Sequence, residues 1–116
     1  MGTNLKQLEI CNKYNTIFFE TPSDLKVGVS QNVNDRNLYP INGLRHLPHG
    51  NTSGWYIWAS EEFSDDDNFF LPLHISHLLE WRPQITKYLG LPPGYRFLLG
   101  ENDYEDVWYD ESLLDI

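Results

Sequence analysis

Four histidines stand in two pairs of equal spacing, His46 with His49 and His74 with His77. Residues three apart on a helix are neighbours, so the second pair could hold one metal ion between two imidazoles. No cysteine or carboxylate stands at a spacing typical of zinc sites, and the first pair lies in a segment with Pro and Gly. A metal-binding protein or hydrolase that uses His74 and His77 is therefore an alternative, and we expect no metal or other cofactor.

Other catalytic signatures are missing from the sequence. Cys11 lies at helical spacing from Leu5 and Leu8, which favours a small buried side chain over a nucleophile. Ser53 lacks the preceding glycine of a nucleophile elbow. No glycine-rich loop for phosphate occurs, and neither acidic run has the ligand spacing of a calcium-binding EF-hand. The sequence predicts that the chain is not an enzyme.

Carboxylates dominate the charge, since 17 acidic and 8 basic residues give a net charge of −9. Twelve of the 17 acids fall in two runs. The first run consists of Glu61, Glu62, Asp65, Asp66 and Asp67. The second consists of Glu101, Asp103, Glu105, Asp106, Asp110, Glu111 and Asp115. No Lys or Arg occurs between His46 and Trp81 or after Arg96, so the sequence supplies no nearby counter-charge to either run.

Such charge disfavours nucleic acids and anionic membranes as partners, because both require Lys and Arg to meet their phosphates. A solvated surface that keeps the protein in solution is a sufficient explanation for either run alone. Two runs without counter-charge favour a protein partner with a basic surface. A structural domain without a dedicated partner is a further alternative.

The elements that position these residues are predicted to be both helical and extended. The spacing of Leu5, Leu8 and Cys11 predicts a short N-terminal helix. Strands are predicted at 17–19 and 25–29, followed by a long polar connection over 31–53. The strongest strand is 54–59, which is apolar or aromatic on both faces and should be central in a sheet.

The second half of the chain predicts two short helices and a hairpin. Pro72 suits the first position of one helix, and Pro83 begins another that Gly90 ends. Strands at 95–99 and 104–109 are joined by a turn. Residues 1–116 are therefore expected to form one α+β domain, with a mainly antiparallel sheet, a central Trp-rich strand and two or three packed short helices.

Tryptophans near the acidic runs are candidate anchors for a partner. Trp58 precedes the first run, and Trp108 lies in the terminal hairpin on the same strand face as Tyr104, Asp106 and Asp110. The predicted partner-binding residues are Trp58, Glu61, Glu62, Asp65, Asp66, Asp67, Asp103, Glu105, Asp106, Trp108, Asp110 and Glu111.

Four segments, 54–62, 72–78, 88–97 and 104–110, together resemble small bacterial proteins of poorly known function. Some of these proteins look like immunity proteins of polymorphic toxin systems, and the resemblance spans roughly 43–114. It implies an α+β domain that protects its own cell by binding a cognate toxin. Many toxin domains are basic nucleases, which an acidic inhibitor would attract and occlude.

The cellular setting is inferred from what the sequence lacks. The single cysteine excludes an intramolecular disulfide, and the first residues contain no apolar run like a secretion signal. No segment approaches the ~20 apolar residues of a membrane span. We therefore expect a cytoplasmic protein that is a monomer or a homodimer.

Overall fold

The structure is a computed structural model that describes residues 2–22, 24–35, 38–60 and 70–115. Its α-helices and strands are α1 (Gly2–Lys13), β1 (Lys26–Ser30), β2 (Ile41–Arg45), β3 (Thr52–Ala59), β4 (Phe70–His74), α2 (Ile75–Trp81), β5 (Tyr95–Leu99) and β6 (Glu105–Tyr109). Short 3₁₀-helices cover Gln31–Asn34, Pro83–Tyr88 and Glu111–Asp115. The predicted α+β class is confirmed. No helix in the described ranges is long and apolar enough to cross a membrane.

Within the described residues the strands form one sheet in the order β4-β1-β3-β2-β5-β6. β1 and β3 run parallel, and every other neighbouring pair is antiparallel. β3 is the longest strand and lies inside the sheet, with seven of its eight residues buried or partly buried. The Trp-rich strand is therefore central, as its two apolar faces predicted.

One face of the sheet carries the main core, where the helices pack. Tyr88 of the Pro83–Tyr88 helix stacks on Phe97 of β5, with ring centroids 5.1 Å apart. The sheet contributes Val27, Val29, Ile41, Trp55, Ile57, Phe97 and Val107 to this core, and the helices contribute Ile10, Cys11, Ile75, Leu78, Ile85 and Tyr88. Cys11 is 2% exposed, as expected for a small buried side chain. Burial of such side chains is the main driving force for folding.

Helix α1 buries a different face from the one that leucine spacing predicted. Leu5 and Leu8 are 63% and 41% exposed, whereas Gln7 and Ile10 are each 6% exposed. Gln7 can be buried because its Nε2 donates a hydrogen bond to the Thr86 carbonyl oxygen at 2.9 Å. An apolar pattern does not reveal such a buried amide.

Three predicted segments differ from the structure. Residues 17–19 are not a strand, and Phe19 donates its N–H to the Gly90 carbonyl oxygen at 2.9 Å. The connection predicted at 31–53 contains β2. Pro72 belongs to β4, not to a helix, because β4 lies at the sheet edge, where a missing amide donor is tolerated.

Strand β2 was hidden in the sequence by its polar and small residues. It includes Asn42, Gly43 and Arg45, which are atypical of a strand inside a sheet. At Gly43 a Cβ atom would lie 2.3 Å from the Phe97 ring, so glycine makes room for that ring against the backbone. Tertiary packing, rather than local propensity, selects this strand.

Arg45, at the end of β2, is fully buried, with 0% exposed. Its guanidinium donates to backbone carbonyl oxygens of Ser53 at 3.1 Å, Phe19 at 3.1 Å, Leu91 at 2.9 Å, Leu89 at 3.4 Å and Glu20 at 3.2 Å. It also lies over the rings of Phe19 and Trp55, at 4.7 and 5.4 Å from their centroids. Burial lowers the pKa of Arg45 to about 10, so the group is still charged near neutral pH.

We predict that Arg45→Met lowers the free energy of unfolding by at least about 3 kcal/mol, because several buried carbonyl oxygens lose their donor at once. Chemical denaturation followed by tryptophan fluorescence measures the change. Lys6→Met, on the exposed side of α1, is the control and should stay within about 0.5 kcal/mol of the wild type. Equal stability of the two variants would contradict the structural role of Arg45.

Candidate functional site

The second acidic run, except Asp115, lies on the hairpin formed by β5 and β6 or at its end. Its turn has positive φ at both central residues, 60° at Asn102 and 63° at Asp103. Tyr104 donates its N–H to the Glu101 carbonyl oxygen at 3.3 Å, which completes a type I′ arrangement. Asn and Asp tolerate this left-handed conformation better than most residues, and the turn suits the twist of a hairpin. The predicted hairpin is confirmed, and we call residues 95–111 the acidic hairpin.

Glu105 is engaged within the chain. Its Oε2 accepts hydrogen bonds from Lys13 Nζ at 2.7 Å and Tyr14 OH at 2.5 Å, and its Oε1 accepts one from Tyr88 OH at 2.5 Å. The carboxylate thereby fastens α1 and the Pro83–Tyr88 helix to β6. Its charge is satisfied internally, so among the predicted partner-binding residues it is placed for a structural role.

The ionisation of this cluster reflects both burial and hydrogen bonding. Burial alone raises the pKa of Glu105, but the hydrogen bonds from Lys13, Tyr14 and Tyr88 outweigh it and hold the pKa at about 2. Burial, and then the hydrogen bond to Glu105, raises the pKa of Tyr14 and of Tyr88. At neutral pH the carboxyl is therefore ionised and both phenols are protonated donors.

Asp110 is partly compensated at the end of β6. It accepts hydrogen bonds from Ser112 Oγ at 2.6 Å and Ser112 N at 3.1 Å, and Arg96 Nη1 lies 3.3 Å from its Oδ2. The bonds from Ser112, followed by Arg96, lower the pKa of Asp110. The Arg96 guanidinium also lies 5.6 Å from the centre of the Trp108 ring. Asp110 thus stabilises the start of the last 3₁₀-helix as well as adding charge to the surface.

The remaining carboxylates of the acidic hairpin face solvent. Four of them, Glu101, Asp103, Asp106 and Glu111, are exposed and form no ion pair with any residue in the described ranges. Exposed aromatic rings accompany them, namely Tyr104 at 55%, Trp108 at 38% and Tyr109 at 52%. Tyr104 and Trp108 share a strand face with Asp106, so apolar area and charge are offered to a partner on one surface there.

The structure separates the two candidate tryptophans. Trp58 is 6% exposed and therefore presents little surface, whereas Trp108 is exposed on the acidic hairpin. Trp58, although predicted as a partner-binding residue, therefore offers almost no surface to a partner in this structure. The first acidic run, Glu61, Glu62, Asp65, Asp66 and Asp67, lies outside the described residues, so its position relative to the hairpin stays a prediction.

The histidine pairs form no recognisable metal centre in the described part of the chain. His74 and His77 are exposed, with ring centroids 6.1 Å apart. No group of three or more His, Cys, Asp or Glu among the described residues is placed to hold an ion. His46 instead packs edge-on against Tyr56 at 5.4 Å, and its Nδ1 lies 2.9 Å from the Leu113 carbonyl oxygen. The geometry gives the metal-binding alternative no support.

The sequence did not reveal which residues hold Glu105. Tyr14 and Glu105 are 91 positions apart, and Tyr88 and Glu105 are 17 apart. Neither spacing follows the period of a helix or a strand, so no local pattern predicts the contacts. The only indication in the sequence was that both tyrosines lie in or beside apolar helical segments, where a hydroxyl needs a buried acceptor. This indication does not identify Glu105 as that acceptor.

Comparison with known families gives one match that spans most of the chain. A family model described as an Imm33-like domain matches residues 6–110, a range that includes the acidic hairpin except Glu111. No curated protein and no solved structure matches the chain.

We predict that Glu105 makes stability depend on pH. Its folded pKa of about 2 lies below the ordinary value of 4.5, so its stabilisation is present above pH 4.5 and is lost as the pH falls towards 2. Glu105→Gln should lower the free energy of unfolding by about 2 kcal/mol at pH 7, allowing for solvent around Lys13. Denaturant titrations from pH 7 to 2.5 should show the gap to wild type closing.

Glu9→Gln on the exposed side of α1 is the matched control and should track the wild type at every pH. A gap between Glu105→Gln and wild type that is constant from pH 7 to 2.5 would show that Glu105 contributes through shape rather than through its charge.

Proposed function

We propose, from the premise that this chain belongs to the Imm33-like domain family, that it is an immunity protein that binds and neutralises a cognate bacterial toxin domain. The observation that carries the proposal is the acidic hairpin, which lies largely within the family match. There, exposed carboxylates that form no ion pair with the described residues stand beside exposed aromatic rings. Such a surface suits protein recognition and supplies no arrangement for catalysis.

The charge of the chain supports a basic toxin domain as its partner. The net charge of −9 attracts a positive surface over a distance, and the carboxylates of Asp103, Asp106 and Glu111 remain available where contact is made. Attraction of this kind raises the association rate more than it lengthens the lifetime of the complex. An immunity protein benefits from rapid capture, because the toxin must be bound before it acts.

The rigidity of the acidic hairpin also supports a binding role. Its turn is a type I′ turn, its second strand is fastened to α1 through Glu105, and Asp110 is held by Ser112. A surface held in this way loses little conformational entropy when a partner docks. Occlusion of the toxin's active surface follows if the basic groove that binds the toxin's substrate is also the surface that docks on the carboxylates.

We predict that a large secreted protein with a variable C-terminal domain is encoded directly upstream of the gene for this chain. The purified chain should bind that C-terminal domain, and co-expression should protect cells from it. Surface plasmon resonance should show an association rate that falls by about tenfold or more when salt is raised from 50 to 500 mM, because salt screens exposed charges. No complex at 50 mM salt, or no protection on co-expression, would contradict the proposed function.

A second prediction compares two sets of acids of equal charge. A triple variant of the hairpin, Asp103→Asn with Asp106→Asn and Glu111→Gln, should lower the association rate by about tenfold at low salt. The control, Glu9→Gln with Glu20→Gln and Asp24→Asn, removes three exposed carboxylates elsewhere and changes the net charge equally. Its effect should be several-fold smaller.

Equal effects of these two triple variants would show that only net charge matters and that the acidic hairpin is not the contact surface. The variant Asp65→Asn with Asp66→Asn and Asp67→Asn tests the first acidic run by the same measurement. An association rate equal to wild type would remove that run from the proposed partner-binding residues.

A further inference from the structure

Strand β6 closes one end of the sheet. It pairs with β5 on one side, and in the described residues no strand pairs with its other side. A terminal strand leaves a row of backbone donors and acceptors on its outer side, which can pair with another extended segment. The backbone groups on the outer side of β6 are therefore a candidate docking site, in addition to its side chains.

Hydrogen bonds at the two ends of β6 identify the amides that face β5. Asp110 donates its N–H to the Gly94 carbonyl oxygen at 2.7 Å, and Gly100 donates to the Tyr104 carbonyl oxygen at 3.0 Å. Hydrogen-bonded and non-hydrogen-bonded pairs alternate along an antiparallel ladder. The even-numbered residues of β6 thus bond to β5, and the N–H and C=O groups that point outward are those of Glu105, Val107 and Tyr109.

A further bond agrees with this alternation. Tyr95 is opposite Tyr109, yet its N–H donates to the Pro92 carbonyl oxygen at 3.2 Å instead of crossing to Tyr109. None of the described residues forms a loop or turn hydrogen bond with the backbone of Glu105, Val107 or Tyr109. Three donors and three acceptors therefore face outward along roughly 14 Å of strand.

The side chains around this edge favour one kind of occupant. Asp106 and Trp108 are exposed on one face of β6, and Tyr109 is 52% exposed on the other. Asp103 and Glu111, at the two ends, are exposed as well. A strand that carries Lys or Arg would gain both backbone hydrogen bonds and opposite-charge neighbours here, whereas an acidic strand would be repelled.

A second copy of this chain fits the edge poorly. An antiparallel β6–β6 pair centred on Val107 would bring Asp103 of each copy towards Glu111 of the other, just beyond the paired strands, with both copies of Asp106 nearby. Like charges in such positions destabilise a sheet, and charged edges are a common protection against self-pairing. The charge pattern thus disfavours a homodimer through this edge and leaves it open to a basic segment.

We propose that the outer edge of β6 takes up an extended, Lys- or Arg-bearing segment of the toxin domain as an additional strand. The proposal rests on the proposed function and specifies how the partner is held. Backbone hydrogen bonds to Glu105, Val107 and Tyr109 supply the docking register, and the carboxylates of Asp103, Asp106 and Glu111 select the basic side chains.

The decisive variants are Tyr109→Pro and Tyr109→Ala, tested for binding to the same upstream-encoded toxin domain. Both remove the exposed ring, but only proline also removes the outward N–H and places its own ring at the edge. Tyr109→Pro should bind about tenfold more weakly than Tyr109→Ala, with circular dichroism and thermal melting showing both variants folded. Equal affinity of these two folded variants would overturn the edge assignment.

Charge at the edge is tested by Asp106→Lys against Asp24→Lys. Both acids are exposed and the two changes alter net charge equally, but Asp24 precedes β1 and lies away from the acidic hairpin. Asp106→Lys should weaken binding at least about tenfold more than Asp24→Lys. Equal weakening would show that attraction is general and would count against a basic segment at this edge.

Amide hydrogen exchange of the wild type, followed by NMR, does not depend on whether a variant folds. In the free chain Glu105, Val107 and Tyr109 should exchange faster than Asp106, Trp108 and Asp110, and in the complex the first three should become protected. Unchanged exchange of the first three in a complex that does form would overturn the edge assignment and leave the proposed function standing.

Two further outcomes are decisive. If the wild type does not bind the upstream-encoded toxin domain, the proposed function and the edge assignment both fail. If sedimentation shows that the free chain dimerises and Tyr109→Pro abolishes the dimer, a second copy occupies the edge and the basic-segment proposal is wrong.

Discussion

The convergence of three chain segments on the end of β2 depends on the hydrogen bonds of one buried cation, Arg45. Its guanidinium binds carbonyl oxygens from three segments that are distant in sequence, represented by Ser53, Phe19 and Leu91. A charge in the interior costs several kcal/mol unless it is solvated by other groups. Here backbone carbonyls replace water, so the segment after α1, the segment after the Pro83–Tyr88 helix and strand β3 must converge on the end of β2. Arg45 thereby connects the irregular chain at Phe19 and Glu20, which belongs to no strand, to the end of β2.

The sequence was sufficient to predict elements whose own residue pattern determines them. It was insufficient where an element or a site depends on contacts between residues distant in sequence. A segment that is apolar or aromatic on both faces identified β3, and a turn between two aromatic-rich segments identified β5 and β6. Strand β2 was missed because Gly43 and Arg45 are explained only by the Phe97 ring and by remote carbonyl oxygens. The same limit applied at the candidate site, where the charge pattern indicated the acidic hairpin but not the internal partners of Glu105.

The adjacent carboxylates Glu105 and Asp106 on β6 therefore have different roles, one structural and one at the surface, and the geometry of the strand explains the difference. Successive side chains of a strand point to opposite faces, so Glu105 points towards α1 and Asp106 points away from it. Glu105 is partly buried, and its carboxylate accepts hydrogen bonds from Lys13, Tyr14 and Tyr88, which stabilises the fold. Asp106 forms no ion pair with any described residue, so its charge remains available to a partner. Counting acids in a run overestimates the charge available to a partner, because the run includes both kinds.

The acids at the edge of β6 bear on specificity as well as on attraction. An exposed terminal strand can pair with almost any extended segment, including a second copy of itself, since backbone groups are common to all sequences. Carboxylates at Asp103, Asp106 and Glu111 penalise acidic and self-complementary strands and favour basic ones. The backbone edge supplies affinity without selectivity, and the charges supply selectivity at little cost to the free protein because they are solvated. The proposed function requires the free chain to stay unpaired until it meets its partner and then to bind it, and a charged edge beside the Glu105 cluster suits both requirements at one site.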